Sequence, residues 1–294
     1  RTLLDLPMNE RVRDHGLERL SVERDGATLE FTFVHVPARA GSDGPPLVLV
    51  HGTPSSLYTW SDLVFGRGDF SGIAGEYDLY LLDVVGHGVT RTSQAPYSFQ
   101  GCADWIVTFL EARGLRDAAV AGNSYGGEFV WRAALDRPDL ISRVILLDSA
   151  GYEREDDEWL PEEEAMRENG LAKIGYVLNS EERIRRALEP HFAEVTDDQV
   201  TEIYTVCDHV DNWHAMVDLA RDENGTRAGE LTGLKQPALL LWGENDVAYP
   251  VERFARQFER DIPRAELHLI PDSGHYPQEE RPAAVAERLR AFLR

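Results

Sequence analysis

Cysteine is scarce in this chain: Cys102 and Cys207 are the only two in 294 residues. Two thiols cannot build a disulfide framework, and neither sits in a CxxC pair. Cationic residues are also in short supply. Lys and Arg number 30 against 52 Asp and Glu, leaving a net charge of -22. Nucleic-acid binding needs clustered cations against phosphates, so that class is excluded. The same charge disfavours strongly anionic substrates, although its plainest meaning is a solubilising surface. No apolar run approaches the roughly 20 residues needed to span a bilayer, so no membrane partner is expected. No basic, apolar leader opens the sequence, and a reducing cytoplasm is the expected setting. The histidines are scattered, with no HExxH, so no metal site is expected. The glycine-rich segments spell neither a dinucleotide nor a phosphate loop, and no cofactor is expected.

What is present is an ordinary globular balance, 43% apolar and 28% charged, in a chain long enough for one large core plus an insertion. Residues 19–24 and 28–36 read as paired strands, with Asp25-Gly26 as the hairpin turn between them. Six apolar strand runs follow, at residues 47–50, 79–82, 118–121, 144–147, 238–241 and 267–270. Helical patterns at 99–111, 128–135, 251–259 and 278–293 alternate with them. Such alternation predicts a doubly wound, mostly parallel sheet of the α/β class, covered on both faces. Between Asp148 and about Ala228 the alternation stops. That stretch has no strand run, only helical segments at 162–171, 181–188 and 197–206, after an acidic start at 153–158 that reads as a solvated linker.

One segment carries more chemistry than any other. The apolar run 118–121 meets Gly122-Asn123-Ser124-Tyr125-Gly126, a Gly-x-Ser-x-Gly pentad, and a helical pattern follows. A serine on so sharp a strand-to-helix turn stands exposed above a sheet, and glycines flank it because a Cβ there would collide. A serine hydroxyl is a poor nucleophile until a base takes its proton and a carboxylate fixes the tautomer of that base. Two loops offer these groups. Gly243-Glu244-Asn245-Asp246 ends the run 238–241, and Ser273-Gly274-His275 follows the run 267–270. The order Ser124, Asp246, His275 differs from both familiar protease orders. Ser124, Asp246, His275 and Thr53 all fall at the carboxyl ends of strands, where open α/β sheets bind ligands. Asp148, at the end of the run 144–147, is the rival acid; the glycine-preceded loop favours Asp246.

These features resemble the α/β-hydrolases nearly from end to end. His51-Gly52-Thr53-Pro54 resembles the His-Gly-x-Pro oxyanion loop, and Asp83-Val84-Val85-Gly86-His87-Gly88 resembles the family's Asp-x-x-Gly-x-Gly turn. The elbow with Asn123 and Gly127 is similar to that of carbon–carbon bond hydrolases acting on ring-cleavage products. The His-Gly-x-Pro-x-Ser segment leans toward the epoxide hydrolase and haloalkane dehalogenase branch, whose members carry aspartate where this chain has Ser124. The resemblance implies a hydrolase core of residues 1–149 and 229–294, with an inserted helical cap at 150–228. It also implies an oxyanion hole built from the backbone N–H groups of Thr53 and Tyr125.

The other candidates are weaker. His51 and His87 read as buttresses of the oxyanion loop, and Asp83 as an acceptor for turn amides. Glu244 reads as solvated. His15, His35, His191 and His268 have no supporting context. Cys102 reads as core. Glu128 lies four residues after Ser124 on the same helix face, so it can touch substrate or simply suit the helix N-terminus. Tyr152, Trp159, Trp213 and Tyr249 are pocket-lining candidates by location, and His209 and His214, both in the cap, are placed to touch substrate. The expected partner is a small molecule. The expected chemistry is acyl-enzyme hydrolysis of a small to medium, largely apolar ester or lactone. The alternatives are carbon–carbon bond hydrolysis, or a non-hydrolytic cyclase or receptor on the same fold.

Overall fold

The computed structural model describes residues 3–6, 9–24, 26–90 and 97–294. Its centre is an eight-stranded sheet: β1 (Glu18–Arg24), β2 (Ala27–Val36), β3 (Leu47–Val50), β4 (Leu79–Asp83), β5 (Ala118–Asn123), β6 (Ile141–Leu147), β7 (Ala238–Gly243) and β8 (Ala265–Ile270). The spatial order is β1-β2-β4-β3-β5-β6-β7-β8. β1 and β2 pair antiparallel, β2 joins β4 antiparallel, and the remaining pairings are parallel. All eight strands coincide with the runs read from the sequence. Of the hairpin turn, Gly26 is seen at φ +80, while Asp25 lies outside the described residues.

The strands are apolar on both sides because helices cover both sides. Side chains alternate across a strand, so Val48, Val50, Ala118 and Val120 enter one core cluster while Leu47, Leu49, Ala119 and Ala121 enter the other. The first cluster includes side chains from α3 (Phe99–Arg113) and α4 (Tyr125–Asp136), among them Phe109, Phe129 and Trp131. The second includes Leu63 of α2 (Ser61–Phe65) and Leu289 of α11 (Pro282–Phe292), with α1 (Glu10–His15) supplying Val12. The alanines of β5 leave room for helices to approach the middle of the sheet closely.

Several helix boundaries differ from the sequence reading. α4 begins at Tyr125, directly after Ser124, rather than at Glu128. α9 (Ala255–Asp261) starts four residues late. The predicted helix 278–293 is two, α10 (Pro277–Glu280) and α11, parted at Arg281 because Pro282 lacks an N–H and cannot continue the preceding turn. Between β6 and β7 the chain is helical: α5 (Pro161–Glu168), α6 (Glu181–Leu188), α7 (Asp197–Cys207) and α8 (Val210–Asp222). α8 was not read from the sequence. Ile184, Leu188, Phe192, Val200, Ile203, Cys207 and Met216 give this insertion an apolar cluster of its own, which Tyr276 of the main body joins. Cys102 and Cys207 are both free and buried. Among the described residues, no helix is long and apolar enough to cross a membrane.

Candidate active site

β5 ends at Asn123 and α4 begins at Tyr125, so Ser124 alone makes the turn. Its backbone sits at φ 56, ψ -125, a region disfavoured for a residue with a Cβ at a cost of about 1–3 kcal/mol. The turn is held by Ser124 N–H donating to Leu147 O at 3.0 Å, and by Ser124 O accepting from Ala150 at 3.1 Å. It closes so tightly that a Cβ on Gly122 would lie 2.3 Å from Gly126 O. Gly52, at the end of β3, packs directly against the serine: a Cβ there would fall 2.7 Å from Ser124 Cβ.

The loop after β8 carries His275, whose Nδ1 is 3.0 Å from Asp246 Oδ2. Asp246 Oδ1 accepts from Ala248 N–H at 2.9 Å, so both oxygens are engaged. Burial works to raise the Asp246 pKa, but the charge and hydrogen bond of His275 outweigh it and hold the carboxyl below its ordinary value. An ionised Asp246 therefore faces Nδ1–H, which points Nε2 away as the basic nitrogen. Among the described residues Ser124 Oγ makes no hydrogen bond to His275; such contacts commonly tighten only once substrate binds.

Asp148, the rival acid, lies beside this pair. Polar atoms of Asp148, Asp246 and His275 fall within 4.8 Å of one another. Asp148 Oδ1 accepts from Gly243 N–H at 2.9 Å, and the residue sits at φ 44. Burial first, and the charge of Asp246 second, push its pKa well up. Two carboxylates this close cannot both ionise easily, and the one paired with the imidazole keeps the charge. The protonated form of Asp148 is thus favoured, and the residue braces the strand end that carries Asp246.

Asn123 of the elbow, and residues that drew no notice in the sequence, hold the His275 loop. Asn123 donates from Nδ2 to Leu147 O at 3.1 Å and to His275 O at 3.0 Å, and its Oδ1 accepts from Gln278 at 3.2 Å. The residue before Ser124 thereby fixes the backbone of His275. Glu280 Oε1 accepts from Gly274 N–H at 2.9 Å and Tyr276 N–H at 3.3 Å. The insertion contributes too. His191 O accepts from His275 N–H at 2.7 Å, and the two imidazole rings are 5.6 Å apart. Nothing in the local sequence pointed to His191, because its role depends on how the insertion docks.

The loop after β3 and the turn after β4 brace each other. Leu57 N–H at 3.1 Å, Thr90 N–H at 3.0 Å and Val89 N–H all donate to Asp83. His51 Nδ1 lies 2.7 Å from Gly52 O, while its Nε2 accepts from Val84 N–H at 2.9 Å. His87 Nδ1 is 3.2 Å from Val85 O, leaving Nε2 to accept the Thr53 hydroxyl at 2.6 Å. Burial lowers the His87 pKa to about 3, so it accepts as a neutral ring. The Thr53 hydroxyl is therefore a brace for the loop. Tyr125 is the first residue of α4, so its N–H has no intrahelical acceptor.

The pocket-lining candidates divide. Tyr249 packs beside His275 with ring centroids 5.6 Å apart, and its hydroxyl donates to Glu223 at 2.9 Å. Tyr125 donates to the same Glu223 carboxylate at 2.6 Å. Arg154 lies over both Tyr249 and Trp159, 4.4 Å from each ring. The others are corrections. Glu128 is buried in the core and paired with Arg132, at 2.6 and 2.9 Å, and burial raises its pKa to about 7. Tyr152 donates to Asp261 at 2.9 Å and packs on Phe258. Trp213 is spent inside the insertion, donating to Ala172 O at 2.7 Å, and His214 is 3.1 Å from Lys173 O. His209 caps α8 and lines a separate cavity of about 260 Å³ with Tyr204, Asp208 and Asn212. Glu244 is exposed.

The chain belongs to the alpha/beta hydrolase family, whose model matches residues 47–288. An uncharacterized hydrolase, YugF, of Bacillus subtilis (strain 168) is 27% identical over 279 residues, covering 92% of this chain and 96% of that protein. Two solved structures share the fold. A thermophilic esterase from Thermogutta terrifontis matches with TM-score 0.77 at 20% identity, over 94% of this chain and 98% of that one. A haloalkane dehalogenase variant from Bradyrhizobium elkanii matches with TM-score 0.75 at 17% identity, over 94% and 96%.

Proposed function

We propose that this hydrolase is a serine esterase that works through an acyl-enzyme. An esterase and a dehalogenase share its fold, so the fold does not choose the chemistry; the residue at the elbow does. That residue is Ser124, and the observation that carries the reading is its strained turn, packed on Gly52 and tied through Asn123 to the loop of the paired His275 and Asp246. In the proposed reaction Ser124 Oγ attacks the ester carbonyl as His275 Nε2 takes its proton. The developing oxyanion accepts from the Thr53 and Tyr125 N–H groups. His275 returns the proton to the leaving alcohol as its carbon–oxygen bond breaks. Water then repeats the sequence and releases the carboxylic acid. Asp246 stays ionised throughout and stabilises the imidazolium.

The substrate proposed is a carboxylic ester or lactone of small to medium size with a largely apolar acyl group. The helical insertion serves as the cap that excludes water and shapes specificity. Two free buried cysteines suit a reducing cytoplasm. Asn123, the basis of the likeness to carbon–carbon bond hydrolases, is committed to Leu147, His275 and Gln278, so it lends that chemistry no support. A partitioning experiment tests the acyl-enzyme. With methanol present, p-nitrophenyl and phenyl butyrate should give the same ratio of methyl ester to butyric acid, since both pass through one intermediate. Ratios that depend on the leaving group would rule the intermediate out.

A further inference from the structure

The insertion does not merely lie over the base loop; three consecutive residues grip it. His191 O accepts from His275 N–H at 2.7 Å, Phe192 stacks on Tyr276 with ring centroids 4.5 Å apart, and Ala193 N–H donates to Glu280 at 2.8 Å. The approach is as close as the backbone allows, since a Cβ on Gly274 would lie 2.2 Å from His191 O. The His191 imidazole is therefore fixed beside the His275 ring by its own main chain. Yet its Nδ1 is buried without a hydrogen-bond partner among the described residues. Unmet buried polar atoms are rare and call for an explanation, such as an absent ligand.

Position says which part of a substrate would supply the partner. His275 must protonate the leaving oxygen, so its ring lies on the leaving-group side of the ester, away from the acyl chain. His191 adjoins that ring, so a substrate group that met it would belong to the leaving alcohol. Resting on the esterase reading above, we propose that His191 is a specificity-determining residue: its Nδ1 hydrogen-bonds an oxygen carried by the leaving alcohol, one or two carbons beyond the ester oxygen. The substrate class is then a monoester of a diol or polyol rather than of a simple alkanol. Burial, and after it the charge of His275, lower the His191 pKa to about 4. His191 thus stays neutral near pH 7 and offers one donor and one acceptor without placing a second cation beside the imidazolium.

The test compares two esters of equal size, 2-hydroxyethyl butyrate and propyl butyrate, with wild type, His191→Phe and His191→Ala. The terminal hydroxyl and methyl differ in hydrogen bonding, and apolar burial alone favours the propyl ester. Wild type should prefer the hydroxyethyl ester by on the order of tenfold in kcat/KM, the scale of one buried hydrogen bond. Both variants should lose that preference, read as the ratio of kcat/KM for the two esters within each variant, so that any change in overall turnover cancels. Equal turnover of the two esters by wild type overturns the assignment of His191, and so does a preference that survives in a folded variant. Absence of turnover on both esters, with Ser124 unreactive toward a fluorophosphonate, is a different failure: it overturns the esterase reading and this inference with it.

Discussion

A protonated aspartic acid and an asparagine present nearly the same face to their neighbours, and that similarity separates Asp148 from Asp246. Burial and the charge of Asp246 favour the protonated form of Asp148, which accepts from Gly243 N–H, so Asp148→Asn should keep near wild-type turnover. Asp246→Asn should lower kcat by on the order of 10⁴, because an amide favours the wrong tautomer of His275 and cannot stabilise its charge. Steady-state kinetics on both variants decides it, and the reverse pattern would move the acid to the end of β6. Gly52→Ala makes a second prediction at this scale. The new methyl would meet Ser124 Cβ at 2.7 Å and Asn123 O at 2.8 Å. A shift of about 1 Å at the nucleophile should cost on the order of 100-fold in kcat/KM, with circular dichroism unchanged. A loss under about threefold would show that the two strand ends give way easily. Ser124, Asp246, His275 and the buttressing histidines were legible because turn chemistry is local. Glu128 does fall in the first turn of α4, as one of its two readings had it, but its partner was missed although in plain sight: Arg132 lies four residues on, a helical ion-pair spacing. His191 and Glu223 had no local signal, since what they touch is set by how distant segments dock.

Strands were easier to read than helices, because a buried parallel strand is a short apolar run and little else competes with that pattern. α8 escaped notice although Val210, Trp213, Met216, Val217 and Ala220 keep helical spacing; the intervening Asp211, Asn212 and Asp218 gave the stretch a polar look. α7 and α10 meet at a seam whose acids predict a pH effect. Glu202 Oε1 accepts from Ser56 at 2.8 Å, and Glu279 accepts from Gln199 at 2.9 Å and from Thr59. Burial, with the charge of Glu279 next, raises the Glu202 pKa to about 8, and burial raises that of Glu279 to about 7, both from 4.5. Each group binds its proton more tightly in the folded state than in the unfolded chain. Its stabilising effect is therefore full below pH 4.5 and is lost as pH rises through about 7 and about 8. Glu202→Gln and Glu279→Gln should raise the Tm at pH 9 and change it little at pH 5. A Tm gain equal at both pH values would contradict the shifts.

At the scale of the whole molecule, a net charge of -22 repels itself in the compact state. Raising NaCl from 20 to 500 mM at pH 7.5 should therefore raise the Tm by screening that repulsion, and a fall would show that attractive ion pairs dominate instead. The fold was legible because alternating strands and helices admit few architectures, whereas the substrate depends on how the insertion meets the strand ends. The nucleophile is the claim on which all the rest stands. Intact-protein mass spectrometry after treatment with a fluorophosphonate tests it most directly. Wild type should gain the mass of one phosphonyl group, mapped to the peptide containing Ser124, and Ser124→Ala should gain none. Equal labelling of the two proteins, or a label mapped to another residue, would contradict it.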